Sequence, residues 1–313
     1  MTRKTAWSVI VSSRSGGGKA ARDWPKIAKL LKDRKIEYVG YITDHAGHAI
    51  EIARKAVTDG FRKILVVGGD GALHEALNGI YSQDEVSPSE VTIGLIPVGS
   101  GNDWGRLHKI PLSYKAAVSL VGKAEMHTRV QDVARVETVL DGKPFCRYMA
   151  NIGGFGFDSE VCHRFNEAKA KGRAGDKQYL RFLISGFFSY KNLDFRIDVD
   201  GREFYRGQAL SVALGIGKYC GGGMMQTPDA VPDDGLIDLT VTGNVSKRSF
   251  LTKLPSLFRG TIFKHKEVLH TRGRIIDVAA SPDSYVEVDG EAVGFTPAHI
   301  EVVPAGIRVV SNL

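Results

Sequence analysis

Ile64-Leu65-Val66-Val67-Gly68-Gly69-Asp70-Gly71 is an unbroken apolar run of strand length that ends in a glycine turn, and Ala72-Leu73-His74-Glu75-Ala76-Leu77-Asn78 follows with the composition of a helix. A strand apolar at every position is one covered on both faces, as in a parallel sheet with helices on each side. Glycines at the strand-to-helix junction let a phosphate chain approach the backbone. The helix that starts there directs free N–H groups and about half a positive charge at the turn. The stretch therefore predicts an anion site at a strand end. Asp70, set between glycines, is out of place beside bare phosphate unless it holds a cation such as Mg²⁺, which binds through one or two carboxylates plus substrate phosphates. The plain alternative is a tight turn with Asp70 as helix cap.

The surrounding chain has the same texture. Residues 8–11, 36–42, 63–67 and 91–96 read as strands, and 19–32, 47–57 and 72–80 as helices. Such alternation makes a parallel sheet covered by helices. The last of these strands runs into Pro97-Val98-Gly99-Ser100-Gly101-Asn102-Asp103-Trp104, where small residues expose backbone amides and a hydroxyl. The first runs into Ser15-Gly16-Gly17-Gly18-Lys19, whose lysine is a candidate for phosphate oxygens. Ala20 stands where a P-loop needs a hydroxyl, and no GxGxxG opens a helix after the first strand. A P-loop enzyme and a dinucleotide oxidoreductase are both disfavoured. Three loops at strand ends of one parallel sheet fall along a single carboxyl edge, the usual ligand crevice of open α/β sheets.

Near Met126 the pattern changes. Extended segments at 129–140, 194–199, 235–241, 274–280 and 285–288 are separated by turn signals, among them Asp141-Gly142, Asp200-Gly201 and Asp289-Gly290. Asp-Gly between extended runs is a hairpin cue, and its recurrence predicts an antiparallel β lobe. Two helices interrupt it, one with an apolar stripe of Leu180, Leu183, Ile184, Phe187 and Phe188, the other with Phe250, Leu251, Leu254, Leu257 and Phe258. Both stripes are expected to pack in the core, lipid contact being the alternative.

The chain has 313 residues, of which 43% are hydrophobic and 25% charged, as in ordinary globular proteins, and its length suits two lobes. Lys and Arg number 42 against 35 Asp and Glu, a net charge of +7 that favours anionic partners. Cys146, Cys162 and Cys220 form no CxxC pair, so neither a disulfide framework nor a zinc ribbon is supported. Neither a secretory signal nor an apolar stretch of spanning length is found, and a cytoplasmic location is expected, with peripheral contact at the inner face of the membrane allowed. Nucleic-acid binding has only the net charge behind it, without any RNP, zinc-finger or helix-turn-helix pattern. The histidines show no metal spacing and receive no role.

Gly68-Gly69-Asp70-Gly71 with Glu75 and Asn78, then Gly99-Ser100-Gly101-Asn102-Asp103, and later Asp289-Gly290-Glu291, resemble the diacylglycerol kinase catalytic-domain family in its soluble bacterial lipid kinase branch. Single motifs are shared with NAD kinases and phosphofructokinases; their order over nearly the whole chain is more specific. The resemblance implies an α/β nucleotide-binding lobe over residues 1–128, completed by a tail at 296–313. A mainly antiparallel, β-sandwich-like lipid-substrate lobe over 129–295 would follow, with the active site between the two.

The resemblance also implies residue roles. ATP would be held by the first loop through Ser12, Ser13, Arg14, Ser15, Gly16 and Lys19, by Thr43, and by Gly68, Gly69, Asp70, Gly71, Ala72, Leu73 and His74. Ser100, Gly101 and Asn102 of the second glycine loop would complete the set. The chain departs from the family at Ser12-Ser13, where Asn-Pro is usual, and at Ala72, where a threonine hydroxyl is usual. Glu291 would take the proton of the acceptor hydroxyl, with Asp289 as neighbour and substitute, while Asp70 organises Mg²⁺.

Asp229, Asp233, Asp234 and Asp238 crowd ten residues, a density that suits Mg²⁺ or a solvated acidic turn. In the similar kinases this segment carries a structural Mg²⁺, here on Asp234 with the carbonyls of Val231 and Leu236. Asp132 would join Lys19 and Lys177 beside the site, and the basic run 169–177 is either a solvated face or a contact for anionic headgroups. The expected activity is transfer of the γ-phosphoryl group of Mg-ATP to a lipid hydroxyl at a membrane surface, and a homodimer is compatible with the sequence. The rivals are a kinase for a soluble acceptor such as NAD and a nucleotide-binding regulator without turnover.

Overall fold

The computed structural model describes residues 3–170, 185–187, 190–245 and 247–313. They form two compact units, Met1–Gln131 with Ala305–Leu313, and Asp132–Pro304.

In the first unit β1 (Trp7–Val11), α1 (Ser15–Asp33), β2 (Tyr38–Ile42), α2 (His48–Thr58), β3 (Lys63–Gly68), α3 (Asp70–Tyr81) and β4 (Thr92–Pro97) alternate, followed by α4 (Asp103–Leu107), α5 (Tyr114–Val121) and α6 (Ala124–His127). The strands pair in the order β4, β3, β1, β2, all parallel. Residues 308–309 add a further parallel strand beside β4, Arg308 opposite Thr92 and Val309 opposite Ile93. Val9, Ile10 and Val11 and Ile64 to Val67 are wholly buried, which is why these strands read as continuous apolar runs. Residues 16–18 fall inside the bounds of α1, but Gly16, Gly17 and Gly18 are all left-handed, so regular helix begins at Lys19 as the sequence predicts.

Among the described residues the second unit is mainly antiparallel. It holds β5 (Thr128–Leu140), β6 (Lys143–Met149), β7 (Ile152–Gly156), α7 (Phe157–Ala170), β8 (Leu193–Val199), β9 (Arg202–Ala209), β10 (Ser211–Gly215), β11 (Tyr219–Cys220), β12 (Met224–Met225), β13 (Ile237–Thr242), α8 (Lys247–Arg259), β14 (Val268–Gly273), β15 (Ile275–Ser281), β16 (Tyr285–Val288) and β17 (Glu291–Val310). One path runs β14, β13, β10, β7, β16, β17; β5 and β15 also pair with β17, and β8 joins β15 to β9. Phe155, Ile197, Val212, Leu239, Ile276 and Ile300 lie at the centre of its core.

The Asp-Gly signals are hairpins as expected. Asp141-Gly142 joins β5 to β6, Asp200-Gly201 joins β8 to β9, and Asp289-Gly290 joins β16 to β17, each pair with both residues at positive φ. The units divide inside β5 and inside β17, at Gln131/Asp132 and Pro304/Ala305, against the expected 128/129 and 295/296. A strand that continues across the division carries no linker composition to mark it. Of the two apolar stripes, Leu180, Leu183, Ile184 and Phe188 lie outside the described residues. Phe187 is buried against Phe157 and Leu210, and Leu254 and Leu257 of α8 pack on the same cluster, as expected of a core stripe, whereas Phe258 at the end of the second stripe is 49% exposed, a departure from it.

Candidate functional site

The register sets Val11, Val67 and Ile96 side by side, so the loops after β1, β3 and β4 leave one edge of the sheet together. They are pressed against one another. Gly69 and Gly99 approach so closely that a Cβ on Gly99 would lie 2.8 Å from the Gly69 Cα, and one on Gly16 would lie 2.5 Å from the Val98 carbonyl oxygen. Only glycine permits this, and the result is a seam of backbone without side chains. Val98 N–H donates to Gly68 O at 2.7 Å and Ser12 N–H to Val67 O at 3.0 Å. Ser12 Oγ accepts the Ser15 hydroxyl at 2.8 Å, and Ser13 N–H donates to Thr43 Oγ1 at 3.0 Å. Hydroxyl bonds thus brace the first loop internally and to Thr43, and a backbone bond holds it to β3.

Asp70 joins the two glycine loops. Its Oδ2 accepts Asp103 N–H and its Oδ1 accepts Trp104 N–H, each at 3.1 Å, so it caps α4 rather than its own helix. Asn102 is left-handed and donates Nδ2–H to Gly99 O at 2.6 Å. Its Oδ1 is buried in the seam without a protein donor, an acceptor set toward whatever the seam holds. The backbone cradle fits a phosphate chain, and Asp70 is the carboxylate that stands beside it.

The other residues expected at the nucleotide differ in burial and partners. Leu73 and His74 are buried, and Leu73 N–H is bonded to Gly69 O at 3.1 Å. Ala72 packs beside Gly68, while Arg14 and Ser100 are exposed. Lys19 is held by Asp23 Oδ2 at 2.5 Å and by the Tyr114 hydroxyl, which answers its charge within the first unit. Glu75 accepts Gly47 N–H at 3.0 Å and Ala49 N–H at 3.2 Å, capping α2. His45, His48 and Glu51, given no role from spacing, bring ligand atoms within 4.8 Å of one another. His48 Nδ1 accepts Asp44 N–H at 2.9 Å, which fixes the proton on Nε2 and removes that ring as a ligand. Beneath α4, His108 and the Trp104 indole both bond Gln131 Oε1, at 2.7 and 3.0 Å, and burial pushes His108 down to about 4.

In the second unit Asp289 accepts Ala150 N–H and Asn151 N–H, each at 2.9 Å, and Ile152 N–H at 3.2 Å. A carboxylate spent on three amides builds a turn and is not available as a substitute base. Glu291 begins β17 and is exposed. Glu287, which the motif reading passed over, accepts Gly290 N–H. Burial, and then the neighbouring Asp289, Asp158 and Glu291, push its carboxyl up to about 8.

The expected Mg²⁺ ligand Asp234 is already occupied. Its Oδ1 accepts Leu236 N–H at 3.1 Å and its Oδ2 takes the Arg272 guanidinium at 3.1 Å, which also reaches Asp238 at 3.3 Å and the Asp229 carbonyl at 3.4 Å. A side chain supplies the positive charge beside Asp234 and Asp238 in this arrangement. Asp132 Oδ2 accepts Gly235 N–H at 2.6 Å and Asp132 N–H donates to Pro232 O at 2.7 Å, which pins this acidic turn to β5. Lys177 lies outside the described residues, as does most of the basic run.

A narrow, mainly apolar crevice lies between α8 and the β10–β13 face, lined by Phe157, Leu210, Met224, Leu254, Leu257 and Ile262. Asp158 also lines it; Gln226 donates to its carboxylate at 2.7 Å, and burial raises its pKa. Segments far apart in sequence assemble this crevice, and sequence order offered no signal of it. Among the described residues no helix is long and apolar enough to cross a membrane.

A parallel sheet with a bare glycine seam at its carboxyl edge, followed by an antiparallel β unit, defines a class, and comparison with known proteins gives its name. Residues 6–136 match the profile described as the diacylglycerol kinase catalytic domain, and residues 152–311 match the YegS C-terminal NAD kinase beta sandwich-like domain. The chain belongs to the diacylglycerol kinase catalytic-domain family. It is 28% identical to the diacylglycerol kinase of Mycobacterium tuberculosis over 304 residues, which cover 97% of this chain and 94% of that protein. It is 29% identical to the diacylglycerol kinase of Staphylococcus carnosus, covering 94% and 93%. A crystal structure of a diacylglycerol kinase from Bacillus anthracis shares the fold at a TM-score of 0.71 and 21% identity, with 100% of this chain and 98% of that one covered.

Proposed function

We propose that the protein is a kinase that transfers the γ-phosphoryl group of ATP to a hydroxyl of a diacylglycerol-like lipid at a membrane surface. The observation that carries this reading is the Gly69–Gly99 seam. Backbone amides and a helix start meet there without side chains, which suits a triphosphate. Mg²⁺, when bound, supplies neutralisation of phosphate charge, and Asp70 is the residue present to hold it. Glu291 accepts the proton of the lipid hydroxyl as its oxygen bonds to the γ-phosphorus and the bond to ADP breaks. The apolar crevice takes the acyl part of the acceptor, which favours a lipid over NAD. The test is incubation with radiolabelled ATP and dioleoylglycerol micelles, with Asp70→Asn and Glu291→Gln in parallel. Labelled lipid from the parent and loss in both variants is expected; ATP binding without any labelled lipid would favour a regulator.

A further inference from the structure

Helix α7 touches two places that matter to the proposed reaction. Its first turn, through Phe157 and Asp158, lines the apolar crevice. One turn on, the buried Cys162 donates its S–H to Gly290 O at 3.0 Å, and one turn further Asn166 donates Nδ2–H to the same carbonyl at 2.9 Å. Burial and the nearby Glu287 and Glu291 push the Cys162 thiol well above its ordinary range, which keeps it a donor. On the other side of the same residue, Gly290 N–H is held by Glu287.

The carbonyl gripped by α7 belongs to the peptide that joins Gly290 to Glu291. A peptide unit is planar and rigid, so fixing its oxygen fixes the direction in which the chain leaves for Glu291. Gly290 itself, at φ 90° and with open space where a Cβ would be, supplies no restraint of its own. The grip comes from side chains of a helix more than a hundred residues earlier in sequence.

We infer that Cys162 and Asn166 are positioning residues for Glu291, and that α7 links the acceptor crevice to that carboxylate. The inference rests on reading Glu291 as the proton acceptor. A lipid that seats against Phe157 and Asp158 bears on the helix whose next two turns hold the Gly290–Glu291 peptide.

The test uses the full chain, MgATP and dioleoylglycerol in detergent micelles. Cys162→Ala with Asn166→Ala should lower kcat about 10- to 100-fold with KM for ATP nearly unchanged, the size expected when a reacting group is slightly misplaced. Cys162→Ser with Asn166 intact should recover most of it, because a hydroxyl donates to the same carbonyl; this separates positioning from a folding defect. If the double variant keeps its kcat while Glu291→Gln is inactive, the inference is overturned and the base assignment stands. If Glu291→Gln is fully active, the base assignment falls and this inference with it. A second readout needs no turnover: in a Cys146→Ser, Cys220→Ser protein, dioleoylglycerol in phosphatidylcholine vesicles should slow alkylation of Cys162. An unchanged rate argues against the link through α7.

Discussion

A Cβ placed on Gly99 would lie 2.8 Å from the Cα of Gly69, closer than real side chains come to a backbone, although the two glycines stand on different loops thirty residues apart. Gly99→Ala must therefore push the loop after β4 away from the loop after β3. The expected result is an ATP affinity lowered at least about tenfold with the second unit unaffected, measured by nucleotide titration.

Asp70 ties those loops by charge-assisted bonds to the first amides of α4. Asp70→Ala should cost about 1–2 kcal/mol of stability as well as activity, read from urea unfolding. Asp70→Asn keeps one acceptor oxygen and should fall between the two.

Asp289 and Glu291, two residues apart, should separate cleanly. Asp289→Ala strands three backbone amides and should destabilise the protein by about 3 kcal/mol. Glu291→Gln should leave the melting temperature unchanged while abolishing lipid phosphorylation.

His108 makes stability depend on pH. Its value of about 4 in the folded protein lies below the ordinary 6.5, so the unfolded chain takes up the proton first. The contribution is complete above pH 6.5 and is lost as pH falls toward 4, amounting to about 2 kcal/mol at pH 5. His108→Gln should flatten that part of the stability profile, measured by urea unfolding between pH 7 and pH 5.

Arg272 predicts indifference to chelation. Removing divalent ions from the protein without nucleotide should leave its melting temperature unchanged. Arg272→Met, which exposes Asp234 and Asp238 to one another, should cost about 1–2 kcal/mol, discounted for the partial exposure of the pair. A chelator-induced drop in the parent would restore the metal reading of Asp234.

The parallel sheet was legible because burial on both faces leaves a local trace: Ile64 to Val67 and Val9 to Val11 have no polar break. The hairpins at Asp141, Asp200 and Asp289 were legible because a two-residue turn with both φ positive favours Asp-Gly. Strand β7 was not, since Gly153 and Gly154, wedged between β16 and β10, erase any alternation of side chains.

The glycine loops announced a site, but the division of labour inside it was hidden. Asp70 serves amides more than thirty residues ahead, Lys19 answers to Tyr114, and Asp234 to Arg272. A charged residue's motif position says what it could hold; its actual partner depends on which distant segment the fold brings to it. The crevice residues Asp158 and Gln226 were silent for the same reason.

The strand beside β4 is supplied by residues 308–309, whereas β1 to β4 are complete by residue 97. During synthesis the first unit must wait with the edge of β4 bare until some two hundred further residues have left the ribosome. A hydrophobic edge open for that long invites mispairing. Shortening the chain by its last ten residues should therefore damage the half that is made first.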